Sequence, residues 1–275
     1  MASYAQQWKW WPLVINETIP CADTILYRAY ISALGSSGIE APFLLRANHN
    51  GNIAQTPYSS NLSVGLIKSA TCPTRWWDYD FGIELTGRLE SEPIINGKRT
   101  SSTTLTGYFE QLYAHVRLYV LDLTAGIQPL VYGSQSSRLS MGGLLFSGNA
   151  HPIPRLTIGI DNYVAFPGAF GYLEIKGGLT YGWLDDNNAF VDDIQLHHKF
   201  IGVRAGGKLP VKLSYEIHHA AQWGGYKKPL SAGEIKVDYG NSFSDFWNVF
   251  LFRSGGVSVS DQQNAQGNHI GFQEL

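Results

Sequence analysis

From about residue 105 onward, apolar and polar residues alternate with a period of two, the spacing of a strand that shows its two faces to different surroundings. In GYFEQLYAHVRL (Gly107 to Leu118), Leu112, Ala114, Val116 and Leu118 are apolar, whereas Gln111, Tyr113, His115 and Arg117 are polar or amphipathic. LDLTAGIQPLVYG, from Leu121, continues with Asp122, Thr124, Gly126 and Gln128 on one side. Leu156, Ile158 and Ile160 then oppose Arg155, Thr157, Gly159 and Asp161. Leu173, Ile175, Leu179, Tyr181 and Trp183 oppose Glu174, Lys176, Gly178 and Thr180; Val211, Leu213, Tyr215 and Ile217 oppose Lys212, Ser214, Glu216, His218 and Gln222. Each run is about ten residues, the length a tilted strand needs to cross a bilayer. Pro152 and Pro154 in SGNAHPIPRLTIGI stand just ahead of one run. Proline has no N–H for a ladder and is confined to strand starts and edges, so a strand is expected to begin there, with Gly148 and Asn149 supplying a rigid turn. Asn149 and His151 are the alternative ligand contacts in that stretch.

The connections alternate in length. Short joins are expected near Tyr119, at Gly133 to Ser136, Pro167 to Ala169 and Gly206 to Pro210. Long polar ones fall at Glu90 to Thr104, Leu184 to Gln195 and Gly224 to Ser244. Tight turns at one end and long loops at the other are usual in outer-membrane barrels, although a soluble sandwich also tolerates long loops. No segment with helical period and good caps stands out.

The polar faces carry hydroxyls, glycines and charges of both signs instead of the abundant Lys and Glu of a water-facing sheet. His115, Arg117, Arg155, Asp161, Glu174, Lys176, Lys212, Glu216 and His218 are therefore expected to form a polar network lining a lumen. Tyr163, Tyr181, Trp183 and Trp223 lie near strand ends, as in interfacial aromatic girdles. Composition agrees: only 15% of residues are charged, 13% are aromatic and 30 are glycine. No run approaches the ~20 apolar residues of a membrane-spanning helix. The expected fold is all-β, an antiparallel transmembrane β-barrel of the outer-membrane type, with residues 1–22 a lead segment and 23–275 the barrel. The net charge of −2 provides no polyanion footprint and argues against nucleic acid. Cys21 and Cys72 either pair in an oxidising compartment or remain separate thiols. MASYAQQWKWWPL lacks the pattern of a signal peptide, so outer-membrane placement requires a targeting segment beyond this chain.

Six stretches, GIEAPFLLRANHNG, WWDYDFGIELTGR, SGNAHPIPRLTIGI, LHHKFIGVR, HHAAQWGG and NAQGNHIG, together resemble the Wzi-like capsule assembly family of outer-membrane proteins, from about Asp23 to Leu275. His151 stands where that family more often carries Arg. The resemblance implies a barrel of about eighteen strands in a bacterial outer membrane that anchors capsular polysaccharide without catalysis or cofactor. About ten to twelve strand candidates are legible, so the chain reads as an N-terminal part of such a barrel; a smaller closed barrel or pairing with a second chain are the alternatives.

Candidate glycan contacts, chosen by residue type and loop placement, are Trp183, Asp185, Asp186 and Asn187 in WLDDNNAFVDD, and Trp223, Tyr226 and Lys227 beyond it. The acidic loop also reads as a solvated surface or a calcium site, though not with EF-hand spacing. Adjacent histidines at 197–198 and 218–219 point to opposite faces of a strand, and no third zinc ligand is evident, so no metal is expected. A glycosidase would need two carboxylates about 5–10 Å apart, with Glu174, Glu216 and Asp161 as candidates, but each has basic neighbours that point to charge pairing. No nucleophile elbow or Walker loop is present. A non-catalytic polysaccharide binder is expected, with a diffusion channel or a polysaccharide-acting enzyme as the alternatives.

Overall fold

The computed structural model describes residues 24–69, 76–91, 94–95, 98–99, 103–129, 145, 148–184, 191–228, 237–253 and 268–274. The lead segment, Cys21, Cys72, the expected join at Gly133 to Ser136, and Asp185, Asp186 and Asn187 lie outside these residues. Two compact units form, one from residues up to Tyr119 with Gly126–Pro152, the other from Val120–Ala125 with Ile153 onward.

In the first unit, β1 (Ile25–Gly35) leads through a one-turn helix α1 (Phe43–Arg46) to β2 (Tyr58–Lys68) and β3 (Trp77–Ser91). A ribbon, β4 (Ile94–Ile95) with β5 (Lys98–Arg99), precedes β6 (Thr103–Leu118). The long strands pair antiparallel in the order β1-β2-β3-β6. The second unit contains all but the last two residues of β7 (Leu121–Ile127), with β8 (Pro154–Ala165), β9 (Leu173–Trp183), β10 (Val191–Asp192), β11 (Gln195–Ala205), β12 (Leu213–Trp223), β13 (Tyr226–Lys227), β14 (Val237–Asp238), helix α2 (Phe243–Phe250) and β15 (Asn268–Glu274). Its main sheet runs β7-β8-β9-β11-β12-β15, and β10-β13-β14 form a small separate sheet. The chain is thus mostly antiparallel β-sheet. β8 begins at Pro154, where its missing N–H removes no ladder bond. Among the described residues no helix is long and apolar enough to cross a membrane.

Burial runs opposite to that of a soluble sheet. In the first unit Ile31, Leu62, Val64, Ile83, Leu85 and Phe109 are exposed, while Asn61, Ser63, Glu84, Thr86, Glu110 and Gln111 are buried. The second repeats this, with Leu156, Ile158, Ile201, Leu213 and Tyr215 exposed and Arg155, Thr180, His198, Glu216 and His218 buried. Glu84 is 0% exposed and Ile31 78%.

Side-chain reach explains how the polar face becomes interior. In the first unit Tyr30 on β1 donates its hydroxyl to Glu110 Oε2 on β6 at 2.6 Å, across both intervening strands. Three strand spacings are about 14 Å in a flat sheet, so the sheet must curl with its polar face on the concave side. Tyr163 on β8 spans the same interval in the second unit, donating to Glu216 Oε1 on β12 at 2.9 Å.

Three features depart from simple alternation. At Glu84/Leu85 the register of β3 with β6 shifts: Gln111 faces Glu84, Phe109 faces Leu85, and Glu110 is the extra residue of a bulge. Both Glu110 and Gln111 are consequently buried, and the exposed positions change from odd (Leu105, Phe109) to even (Leu112, Val116). A second irregularity lies between Ile160 and Val164; within it Tyr163 reaches the polar face, which corrects its expected place in an aromatic girdle. The third is α2, a helix in a sequence where no segment with helical period and good caps stands out. Ser242 and Asp245 close a capping box on its first turn, with Ser242 Oγ accepting from Asp245 N and the Asp245 carboxylate accepting from Ser242 N.

Candidate functional site

The polar interior of the first unit holds two sets of hydrogen bonds, one around Glu84 and one around Glu110. Arg28 Nη1 and Gln111 Nε2 both donate to Glu84 Oε2, at 3.3 and 3.1 Å. Ser63 and Thr86 share a hydroxyl bond of 2.6 Å, and Thr86 donates to Glu110 Oε2 at 3.2 Å. Such a network offsets the desolvation of two carboxylates and locks the strands in register.

The connection from β1 to β2 folds back over this face. Ser36 N donates to Pro57 O and Ala41 N to Gln55 O, closing its base. Its tip holds Asn48, Asn50 and Gly51 at φ of 60°, 51° and 73°, conformations that suit asparagine and glycine. Residues 148–151 pin that tip: Asn48 N donates to Asn149 Oδ1 at 2.9 Å, and Asn50 N to Gly148 O at 2.7 Å. From the strands, Arg88 Nη1 donates to Gly51 O at 3.0 Å, Asn61 Nδ2 to Asn52 O at 2.6 Å and Tyr108 OH to Asn52 Oδ1 at 3.2 Å. His151 stands edge-on to the Tyr108 ring, 4.9 Å between centroids. The stretch with two prolines is therefore a rigid turn that clamps a second loop, and a Cβ added at Gly51 would lie 2.8 Å from His151 N. Gly51→Ala is expected to destabilise the unit by more than about 1 kcal/mol, read as a lower denaturant midpoint.

Beside the clamp lies a recess of about 530 Å³ lined by Phe43, Arg46, Gln55, Thr56, Arg88, Glu90 and Asn149 among others. Arg46 comes from the last turn of α1, and Arg88 and Glu90 project from the polar face of β3. A half-exposed phenyl ring, two guanidinium groups, one carboxylate, two amides and a hydroxyl converge there. The recess thus sets planar hydrogen-bonding groups beside a half-exposed aromatic ring and the apolar Ile53 and Ala54.

Of the residues expected to bind glycan, the described ones, Trp183, Trp223, Tyr226 and Lys227, belong to the second unit. Trp183 is partly exposed and edge-on to Tyr181. Trp223 is 4% exposed and packs with Ala221, Val249, Tyr181 and Phe246, so its ring faces protein. Tyr226 OH donates to Asp192 Oδ2 at 2.9 Å, Lys228 pairs with the same oxygen at 3.0 Å, and Lys227 lies opposite Val191 in the small sheet. Those bonds from Lys228 and Tyr226 hold the Asp192 carboxyl below its ordinary range. Phe43, Arg46, Arg88 and Glu90 were not singled out by residue type; the available signal was the Asn- and Gly-rich RANHNG beside SGNAHPIP, whose meeting only folding discloses.

Of the residues expected to line a lumen, His115 and Arg117 lie in the first unit and the others in the second, and several form ion pairs within their own unit. His115 bonds Asp80, Arg117 pairs with Asp78 at 3.4 Å and Glu174 with Arg204 at 2.6 Å. Glu216 binds Lys176, the Tyr163 hydroxyl and His218 Nε2, the last at 3.3 Å. His198 joins this set through a 3.2 Å ring contact with His218, Asp161 N donates to Asp122 at 3.2 Å, Arg155 is buried, and Lys212 is exposed just before β12. Each of Glu174 and Glu216 is thus committed to a cation. Among the described residues no three His, Cys, Asp or Glu side chains are grouped to hold a metal ion.

No family model matches the chain, nor does any curated protein or solved structure.

Proposed function

We propose that this chain forms part of an outer-membrane β-barrel, of the kind its sequence motifs resemble, that holds capsular or related surface polysaccharide without catalysing a reaction. The observation that carries the reading is the inverted burial in both units: large apolar side chains outward and hydrogen-bonded polar and charged side chains inward suit strands with lipid on one side and a polar interior on the other. In the first unit the connections β1–β2 and β3–β6 are at one end, and the recess lies there. Long loops mark the outward end of such barrels, so in this reading the recess opens towards the cell surface, and that supports a glycan as its ligand.

Retention of a uronic-acid polysaccharide by the full chain refolded into phospholipid vesicles tests the proposal. Phe43→Ala and Arg46→Ala are each expected to weaken retention about tenfold, the equivalent of ~1.4 kcal/mol, with the fold unchanged. Failure to insert into vesicles, or inserted protein that retains neither this polymer nor dextran, overturns it.

A further inference from the structure

Helix α2 lies on the apolar face of the second unit, over the ends of β9, β11 and β12. Its inner side is Phe246, Val249 and Phe250, packed with Tyr181, Ala221 and Trp223. Beneath it are three side chains out of character for that face: His197 and His219, almost fully buried, and Lys199. His197 meets the rings of Phe246 and Phe250; His219 meets Phe252 at 4.6 Å. Lys199 Nζ donates to Phe250 O at the end of the helix and lies 3.6 Å from the Phe252 ring centroid. Further along the same two strands that face continues as exposed Ile201, Val203, Tyr215 and Ile217.

At 100° per residue the surface of α2 divides into three sectors. Phe246, Val249 and Phe250 face the strands. Next around the helix come Phe243 and Trp247, continued by Leu251 just past its end, all exposed, with Phe243 74% so. Ser244, Asp245 and Asn248 occupy the third sector. A soluble surface helix needs one apolar sector, and this one has two, above strands whose same face carries exposed Ile201, Val203, Tyr215 and Ile217 further along. The aromatic residues of that ridge and its polar neighbour are the pattern of a helix lying in a bilayer interface.

We infer that α2 is an interfacial strap: it covers His197, Lys199 and His219 on a face otherwise given to lipid, and its Phe243–Trp247–Leu251 ridge inserts among lipid chains while Ser244, Asp245 and Asn248 meet the headgroups. The inference rests on the membrane reading above and identifies the partner of this surface as phospholipid at the boundary between headgroups and acyl chains.

Nitroxide labels test it in the full chain carrying Cys21→Ser and Cys72→Ser, refolded into phosphatidylcholine vesicles, with one cysteine introduced in turn by Ile201→Cys, Trp247→Cys or Ser244→Cys. Power saturation is expected to show labels at 201 and 247 relaxed mainly by oxygen and the label at 244 mainly by a water-soluble nickel chelate. As a check free of labels, brominated lipid should quench the parent more than Trp247→Phe. If 201 is oxygen-accessible while 247 sits in water and Trp247→Phe leaves quenching unchanged, the strap is overturned and the membrane-embedded sheet survives. If 201 itself sits in water, both fall.

Discussion

Ile31→Arg is expected to destabilise the protein in vesicles by about 2–4 kcal/mol, the cost of an arginine near the bilayer midplane on a barrel's lipid face. Ile31 is the most informative position because it is highly exposed near the middle of β1, pairs with Leu62, and is not placed in any polar network. On a water-facing surface the same change would fall within about ±0.5 kcal/mol. The two surroundings therefore predict effects that do not overlap. Tyr27, equally exposed but two residues from the start of the strand, provides the internal control: Tyr27→Arg should cost about 0–1 kcal/mol, because the penalty falls with depth. Equilibrium unfolding by urea in vesicles measures both, and equal, negligible effects would mean that water covers this face.

Glu216→Ala should be the most damaging change on the opposite face. Glu216 is buried and simultaneously accepts from Tyr163, Lys176 and His218, three partners on two other strands and its own. Its removal leaves Lys176 uncompensated, a loss of about 3–5 kcal/mol. Glu216→Gln retains acceptors for the hydroxyl and should cost less. Combining Glu216→Gln with Lys176→Met should recover part of the loss, because removing both charges eliminates the unpaired ammonium. Full additivity of the two single changes in urea unfolding would show that the pair is not coupled.

Folding decided several matters that alternation alone did not carry. The segment FEQL has two polar residues in succession, which is what a bulge leaves in a sequence; that Glu110 is the extra residue emerges only when Leu85 is paired with Phe109 and Glu84 with Gln111. Tyr163 reads as a girdle residue until the irregularity before Val164 turns it towards Glu216. Ser242 and Asp245 spell a capping box, but eight residues with four aromatics read equally well as loop until they find the Trp223 and Tyr181 surface to cover.

The sequence by itself determined the antiparallel strands, their two chemically distinct faces and the start of β8 at Pro154, because a period of two and a missing N–H are local properties that survive any change of partners. It also contained both halves of the clamp, RANHNG and SGNAHPIP. Only the tertiary structure decided that they meet and that the recess of Arg46, Arg88 and Glu90 forms beside them. Contacts between residues some hundred positions apart depend on the curl and register of several strands together, and no short stretch of sequence encodes those.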